Sequence, residues 1–563
     1  MPHRTGLSLE DAAARVVAEN PAFAVETAMI RGVEYPVFSN APAHVPALLA
    51  AGREPMQDGA AEYLSFQDET WTYAEFCDDV ARLAQVLQTR FDISQGDRVA
   101  LAMRNCPELM IGIMAIASLG AVTVFLNAWW TTPELEYALS DSGAALVIAD
   151  AERAARLKPL DVAVIGVRGA ETAHDYNALM RAAQPMMPDV QIGADDDFAI
   201  MYSSGTTGNP KGVVQTHRGA ISAVWTFLMQ AVVAPLMDPP APDAPTAPRP
   251  VGLVATPLFH VTATHPVFLL SIPAGAKLVV MDKWDAQEAV RLIEAHGINR
   301  FIGVPTQSAD LIGAARAAGK SLETIDYLGS GGAKRPPAQV AELANAFPNA
   351  NPATGWGMTE TNAVGIGLVG DEYVANPSVA GRLYPPIQAL EIRDPQGRAL
   401  PTGEVGELTV KSAANMREYL NKPDATAEVL KNGWLSTGDL GFIDADGLVT
   451  IVDRAKNIII RGGENIACLD VEAALHRHPA VAEACAFPVP HARLGEVVGA
   501  GIQVKNGVQL TEEELKTFLQ GAIAHFKIPA HIWFQTTPLP RGATDKLDRR
   551  GLRDACLKDF DHA

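Results

Sequence analysis

Apolar positions in the first half of the chain alternate between helical and strand-like spacing. Residues 72–91 carry apolar side chains at helical intervals, and the apolar run 97–103 after them predicts a strand. Residues 132–143 predict a second helix, which leads into the strand 145–150. Further strands are predicted at 251–257, 277–282 and 300–305. This alternation predicts an α/β domain with largely parallel sheets and ligand sites at the strand ends.

An uncharged apolar stretch at 109–126 has the length at which a membrane span is first considered. Gly112, Ser118 and Gly120 interrupt it, its end is β-branched, and neither flank carries a cluster of Lys or Arg. We therefore predict a buried helix followed by a buried parallel strand, and no transmembrane segment.

The residue composition changes at two places in the rest of the chain. Residues 234–250 are rich in proline, which has no backbone N–H to donate in a helix or a central strand. We therefore predict that this segment is a surface loop. From Gly381, short strands separated by Gly, Pro and Asp turns predict a β-rich subdomain. After Arg454 a strand, a helix, two strands and a helix after Thr511 predict an independent α+β domain. The predicted domains are residues 1–455 and 456–563.

Composition and charge narrow the function classes. The 563 residues carry a formal net charge of −20, which argues against nucleic acid or an anionic membrane as partner. A polyanionic substrate would therefore need a local concentration of cations. The five cysteines form no CxxC pair, and no HExxH occurs, so we expect a reducing compartment and no zinc site. The N-terminal residues lack the apolar core of a signal peptide, which predicts a cytoplasmic location.

The stretch YSSGTTGNPKGVVQTH at 202–217 is rich in glycine and hydroxyl side chains and contains one lysine and no acid. Such a loop can present its backbone N–H groups to an anion. Pro210 excludes the GxxxxGK[ST] form of phosphate loop. Apolar segments on both sides favour a loop between strands over a mobile linker. We predict phosphate binding by Ser203, Ser204, Gly205, Thr206, Thr207, Gly208 and Lys211.

This stretch resembles the signature of the adenylate-forming superfamily, which includes acyl-CoA synthetases, nonribosomal-peptide adenylation domains and firefly luciferase. Further motifs of that family follow in the family's order: LFHVTA (258–263), GSGGAK (329–334), GWGMTE (355–360), STGDL (436–440), DRAKNIIIRGGENI (453–466) and LPRGATDKLDR (539–549). The resemblance spans roughly Tyr63 to the end. It implies a large N-terminal region of two α/β subdomains and a β-barrel, followed by a small mobile α+β domain.

The resemblance implies a role for each nucleotide-side residue. Glu360 resembles the Mg²⁺ carboxylate and Thr359 a phosphate contact. Asp439 resembles the acceptor of both ribose hydroxyls, and Arg454 the cation near ribose and the α-phosphate. The implied adenine contacts are Gly331, Gly332, Ala333 and Trp356, and Gly357 and Met358 are further implied ATP-binding residues. Lys334 stands where we expect an uncharged residue.

The resemblance also implies the parts that carry out the two half-reactions. Lys546 resembles the lysine that bridges the attacking carboxylate and the α-phosphate, although Asp545 stands where the family usually has glycine. Lys456 matches the hinge, and the loop Gly462–Gly463 lies on the coenzyme A side. His260 resembles the aromatic gate between the ATP site and the acid pocket.

The predicted function is ATP-dependent activation of a carboxylic acid to acyl-AMP, followed by transfer to coenzyme A. ATP, Mg²⁺ and coenzyme A are the expected cofactors. We expect an apolar acid, fatty or aryl, because the candidate pocket segments 225–230, 258–264 and 303–306 contain no basic residue. Loading of a separate carrier protein, a luciferase-like oxygenation and a non-catalytic nucleotide-binding homologue remain alternatives. A homodimer is left open.

Overall fold

The computed structural model describes residues 6–52, 59–203, 210–243, 245–332, 334–461, 464–505, 507–520, 522–542 and 546–558. Some residues singled out in the sequence lie outside these ranges, namely Ser204, Gly205, Thr206, Thr207, Gly208, Ala333, Gly462, Gly463 and Asp545.

The first large sheet is mostly parallel, as the alternation predicts. The strand Asp197–Ser203 pairs in parallel with Val122–Phe125 and forms an antiparallel hairpin with Lys211–Thr216. The predicted phosphate loop therefore connects two paired strands. In order across the sheet the strands are Glu418–Tyr419, Lys211–Thr216, Asp197–Ser203, Val122–Phe125, Arg98–Ala102, Leu146–Ala149, Ala163–Gly166 and His174–Asp175.

The second large sheet is parallel at its centre and antiparallel at both sides. Its central strands contain the predicted strands that begin near residues 251, 277 and 300. Their carboxyl ends share one edge of the sheet. In order across it the strands are Arg382–Leu383, Ile366–Val369, Asn351–Trp356, Tyr327–Ser330, Arg300–Gly303, Val251–Val254, Lys277–Val280, Glu62–Phe66 and Glu69–Thr72.

Helices lie between the two sheets and on their outer faces. The core that joins the sheets includes Phe198 from the first and Tyr63 from the second, packed against central helices. The helices of this N-terminal part are Leu9–Glu19, Tyr73–Phe91, Pro107–Ser118, Thr132–Ser142, Ala151–Leu157, Tyr176–Ala182, His217–Met237, Val261–Ala263, Leu270–Ala274, Ala286–His296, Pro305–Ala318, Pro337–Ala346 and Asp371–Ala375, with a π-helical segment at Thr264–Leu269.

The apolar stretch 109–126 belongs to the core. Helix Pro107–Ser118 is buried along its whole length, and the strand Val122–Phe125 after it pairs in parallel with both neighbours. The helix His217–Met237 is long and apolar enough to cross a membrane by length and composition, but more than half of it is buried inside the fold. Burial of this kind is typical of the core helix of a folded domain.

The prediction of a loop over 234–250 was wrong at its start. Helix His217–Met237 continues through Ala234 and contains Pro235 in its last turn. A proline there removes one backbone hydrogen bond and crowds the carbonyl four residues before it. The packing of the preceding turns and the bond from the Asp238 N–H to the Ala234 carbonyl (3.0 Å) hold the end in helical form.

Antiparallel strands follow the second sheet, as predicted from Gly381 onwards. They are Gln388–Arg393, Gly406–Ser412, Trp434–Ile443, Leu430–Lys431 and Val449–Arg454, with helix Pro423–Val429 beside them. A final mixed sheet contains Glu464–Ala467, Ile458–Arg461, Gly495–Val504, Val481–His491 and His531–Gln535, with helices Cys468–Leu475, Glu512–Gln520 and Arg549–Leu557. The turn Ala455–Asn457, which contains the proposed domain boundary, connects these two sheets.

The N-terminal segment connects two parts of the fold. Helix Leu9–Glu19 packs against helix His217–Met237, and the hairpin Val25–Ile30 and Val33–Phe38 packs against Ala413 of the antiparallel sheet. The Trp225 indole donates to the Ala22 carbonyl at 2.9 Å. Trp225 therefore faces this segment.

Candidate active site

Parallel strand ends bring the predicted adenine contacts to one edge of the second sheet. Gly331 and Gly332 follow strand Tyr327–Ser330, and Trp356 ends the neighbouring strand, with Ser330 paired to Thr354. Gly357 lies so close to the Ala363 carbonyl that a Cβ would stand 2.1 Å from its oxygen. A side chain at residue 357 would therefore displace the turn that carries Glu360.

The Thr359–Thr361 turn buries the Glu360 side chain, leaving the residue 6% exposed. The Tyr419 hydroxyl donates to Glu360 Oε1 at 2.9 Å, and the Met416 N–H donates to the Glu360 carbonyl at 2.7 Å. Gln215 Nε2 donates to the Thr359 carbonyl at 2.9 Å. The turn is therefore fixed from several strands at once.

Lys211 stands at the start of its strand and packs on Tyr419. Its ammonium is 4.6 Å from the centre of the Tyr419 ring, the same tyrosine that donates to Glu360. The Ser203 hydroxyl donates to the Lys211 carbonyl at 3.5 Å, where the hairpin opens into the predicted phosphate loop. Tyr419 thus contacts both Lys211 and Glu360.

Asp439 is 4% exposed, and each of its carboxylate oxygens accepts a bond. The Trp356 indole donates to Oδ2 at 2.7 Å, and Arg454 Nε lies 2.9 Å from Oδ1. These two contacts fix the plane of the carboxylate. Each oxygen keeps a lone pair that can accept a hydroxyl.

Lys546 reaches the same place from the last sheet. Its Cε lies 3.1 Å from the point where a Cβ on Gly332 would stand. The residue as a whole is exposed, but its Nζ lies 3.6 Å from the same Cβ position on Gly332. Burial of the ammonium, and next the positive charge of Arg454, lower the pKa of Lys546 to about 8, while Asp439 and Glu360 act in the opposite direction.

His260 and Lys456 also have pKa values shifted by burial and by charged residues of the site. Burial, and next the charge of Lys546, lower the pKa of His260 to about 3, so its ring is neutral at pH 7. Its Nε2 is buried and has no partner within the described ranges. Burial and Arg454 likewise lower the pKa of Lys456 to about 8. Lys546 and Lys456 are thus both within electrostatic range of Arg454, Asp439 and Glu360, and His260 is within range of Lys546.

Sequence comparison places this site in a known family. Residues 50–420 match the model of the AMP-binding enzyme, and residues 470–546 match the AMP-binding enzyme C-terminal domain. The chain belongs to the AMP-binding enzyme family. Within it, this chain is an AMP-forming acyl-CoA synthetase, an acid–thiol ligase that uses ATP and coenzyme A.

Curated relatives and solved structures agree with this family. The chain is 32% identical over 505 residues to 4-coumarate–CoA ligase 5 of Oryza sativa subsp. japonica, covering 88% of this chain and 90% of the relative. It is 34% identical over 486 residues to a feruloyl-CoA synthase of Amycolatopsis sp, covering 86% and 93%. The structure of ATP-bound MatB from Rhodopseudomonas palustris matches with a TM-score of 0.82 at 26% identity, covering 92% of this chain and 99% of MatB. The structure of apo MatB matches with a TM-score of 0.71 at the same identity and coverage.

Three residues of this synthetase contact the Thr359–Glu360 turn without a role predicted from sequence. Gln215 lies in the stretch 202–217 but received no role there, and Tyr419 and Met416 lie outside the motifs. Tyr419 is 59 residues from Glu360 in the chain. In the sequence it is one of several aromatic residues in a β-rich region, so nothing marked it as part of the site. Pairing of strand Glu418–Tyr419 with Lys211–Thr216 brings it to the site.

Replacing Gly332 of the synthetase with alanine tests the contact with Lys546. Gly332 has a φ of +79°, and its new Cβ would lie 3.1 Å from Lys546 Cε. We expect a strain of about 1 kcal/mol and a displaced lysine, hence slower acyl-AMP formation. Gly297 is the matched control, because its φ is +61° and a Cβ there meets nothing within 4 Å. Gly297→Ala should lose similar stability and keep the rate; equal rates in both variants would contradict the contact.

Proposed function

We propose that this synthetase activates an apolar aryl acid of the arylpropenoic type. The observation that carries this substrate class is the similarity to relatives named 4-coumarate–CoA ligase and feruloyl-CoA synthase, each at 30% identity or more over 86% of the chain or more. An unsubstituted fatty acid is the second candidate, supported by the match to a Mycobacterium tuberculosis fatty acyl CoA synthetase, with a TM-score of 0.70 at 29% identity.

The surroundings of His260 support an apolar acid. Phe259 and Val261 on either side are buried, and the His260 and Phe259 rings lie 4.5 Å apart. Because His260 is neutral, the side chains at 258–264 present no charge toward an acid. A second carboxylate would find no counter-ion in this segment, and burying it unpaired would cost several kcal/mol.

We assign Lys546 the central role in adenylation. A carboxylate that attacks the α-phosphate meets another anion, so catalysis depends on positioning and on neutralising charge. The Lys546 ammonium lies next to Gly332 and within electrostatic range of Arg454 and Asp439. From there it can contact both the acid and an α-phosphate whose ribose is held by Asp439.

We assign Glu360 to Mg²⁺. The residues fit this ion, because Glu360 is a buried carboxylate with a hard oxygen and only a tyrosine hydroxyl as side-chain partner among the bonds described. In the described ranges no group of three or more His, Cys, Asp or Glu side chains could hold a metal by itself. Mg²⁺ is commonly held in this way, by one carboxylate together with substrate phosphates and water, and it would screen the triphosphate.

We propose that the residues from 456 onward rotate between the two half-reactions, with Lys456 as the hinge. In the arrangement described, Lys546 points into the nucleotide side, which suits acyl-AMP formation. The higher TM-score to ATP-bound than to apo MatB supports the same assignment. Rotation would withdraw Lys546 and admit the thiol of coenzyme A, separating two steps that need different surroundings.

A substrate panel tests the proposal. The synthetase is supplied with ATP, Mg²⁺, coenzyme A and hydroxycinnamic, benzoic, medium-chain fatty or dicarboxylic acids, and thioesters are detected by mass spectrometry. We expect the largest kcat/KM with hydroxycinnamic acids and no product with dicarboxylic acids. A preference for fatty acids would refute the substrate class. Acyl-AMP without thioester would instead favour a carrier protein as acceptor.

A further inference from the structure

A buried polar pair lies next to the Glu360 turn, because Asn362 directly follows that turn. Asn362 and His265 are both fully buried, and His265 Nε2 lies 2.8 Å from Asn362 Oδ1. The two residues are 97 positions apart in the chain. Sequence motifs did not single out either of them.

Asn362 connects two segments that hold Glu360. Its side-chain amide donates to the Ala414 carbonyl at 2.7 Å, and two residues later the Met416 N–H donates to the Glu360 carbonyl. Its backbone has a φ of +52°, and Ala363 follows at +67°, so the chain reverses sharply just after Glu360. Asn tolerates this conformation better than most residues.

The bonding pattern fixes which atom carries the proton. Because Asn362 Nδ2 donates to a carbonyl, Oδ1 must accept, and His265 Nε2 must donate. Burial lowers the pKa of His265 to about 4, so the ring is neutral and carries its single proton on Nε2. His265 Nδ1 has no partner in the part of the chain described.

His265 belongs to the π-helical segment Thr264–Leu269, five residues after His260. Its ring lies 6.4 Å from Phe198 of the first sheet. The pair therefore joins the acid-side segment, the first sheet and the Glu360 turn. Isolated π-helical turns within helices occur frequently at functional sites.

We propose that His265, acting through Asn362, positions the Glu360 carboxylate for the metal–nucleotide complex. His265 and Asn362 are positioning residues, not catalytic ones, because neither contacts the reacting atoms. This inference rests on the proposed Mg²⁺ role of Glu360. Loss of a partner that orients a metal ligand typically costs 10- to 100-fold in metal affinity or activity, which is about the effect expected here.

The test measures binding of a non-reactive ATP analogue, α,β-methylene-ATP, by calorimetry in Mg²⁺ and in EDTA. For His265→Leu and Asn362→Gly we expect about 10-fold weaker binding in Mg²⁺ and unchanged binding in EDTA. Asn362→Gly keeps the positive φ and removes only the amide. His265→Gln, whose side-chain amide can replace the Nε2 donor, should restore most of the Mg²⁺-dependent affinity.

Two further measurements separate positioning from general destabilisation. Thioester formation from supplied acyl-AMP should stay within about twofold of wild type in His265→Leu, because that step does not use the triphosphate. The double variant should be no weaker than either single variant, as expected for residues that act as one unit. His217→Asn is the matched control, since His217 is equally buried but accepts from the Val45 N–H at 3.2 Å. It should lower the melting temperature and leave the Mg²⁺ dependence unchanged.

Equal losses in Mg²⁺ and in EDTA, or no rescue by glutamine, would overturn the inference. Glu360→Gln provides the reference for the proposed function itself. If that variant binds the Mg²⁺ complex as wild type does, the metal assignment of Glu360 fails. If Glu360→Gln loses Mg²⁺ dependence and His265→Leu does not, only the positioning role fails.

Discussion

Replacing Lys546 with alanine is expected to reduce acid-dependent ATP–pyrophosphate exchange by at least about 100-fold. The ammonium is a cation next to Gly332 and within electrostatic range of Asp439 and Arg454. Arg454 is already paired with Asp439. Thioester formation from supplied acyl-AMP should persist in this variant, because the lysine is proposed to leave the site before that step. Unchanged exchange would contradict the assignment.

The pH dependence of the same reaction provides an independent check. Lys546 stabilises charge only when protonated, and burial lowers its pKa to about 8. Exchange should therefore fall as the pH rises through about 8. Lys546→Arg keeps a positive charge throughout this range, since arginine does not deprotonate in proteins. Its residual activity, reduced by the larger planar group, should show no alkaline fall between pH 7 and 9.5; a fall identical to wild type would assign the titration to another group.

Asp439→Ala is expected to have the second largest effect. It removes the acceptor of the Trp356 indole and the partner of Arg454. We expect ATP to bind about 10- to 100-fold more weakly, from the loss of hydrogen bonds to a charged group. The unfolding free energy should fall by about 2 kcal/mol, mainly from the unpaired indole, because Arg454 is half exposed and water can solvate it once its partner is removed.

Trp356→Phe separates the two consequences of Asp439→Ala. It keeps an aromatic ring in the cluster with Ile366, Ile392, Leu408 and Val449 but removes the indole N–H. Calorimetry with ATP and chemical denaturation should find a similar loss of stability and a much smaller loss of affinity. A loss of affinity as large as that of Asp439→Ala would mean that orientation of the carboxylate, not its direct contact with ribose, accounts for the binding.

Much of the fold follows from local pattern. Buried parallel strands read as short apolar runs between helices, so Val251–Val254, Lys277–Val280 and Arg300–Gly303 could be predicted. The last turn of helix His217–Met237 could not be predicted, because the packing of its earlier turns outweighs the tendency of Pro235 to end a helix. The N-terminal hairpin was not predicted either, since its partner Ala413 is distant in sequence.

Some residues of the candidate site could likewise be predicted from the sequence, and others could not. Asp439, Glu360 and Lys546 lie in motifs whose residue types match the chemistry of adenylation, and the structure gathers them at one place. Tyr419 and His265 carry no such signal, because their roles arise from contacts made only after the sheets pair. Single-sequence motifs identify the groups proposed to meet the nucleotide and miss those that hold these groups in place.

Lys334 stands where an uncharged residue was expected, and the structure shows what its ammonium contacts. Its ammonium donates to the Ile451 carbonyl at 3.3 Å, and burial lowers its pKa while Asp470 and Asp453 oppose that shift. Asp470 lies beyond the turn Ala455–Asn457, in helix Cys468–Leu475. In the proposed rotation of the residues from 456 onward, Asp470 would move away from Lys334, and the loss of this attraction would oppose the movement. Raising the ionic strength should weaken that opposition.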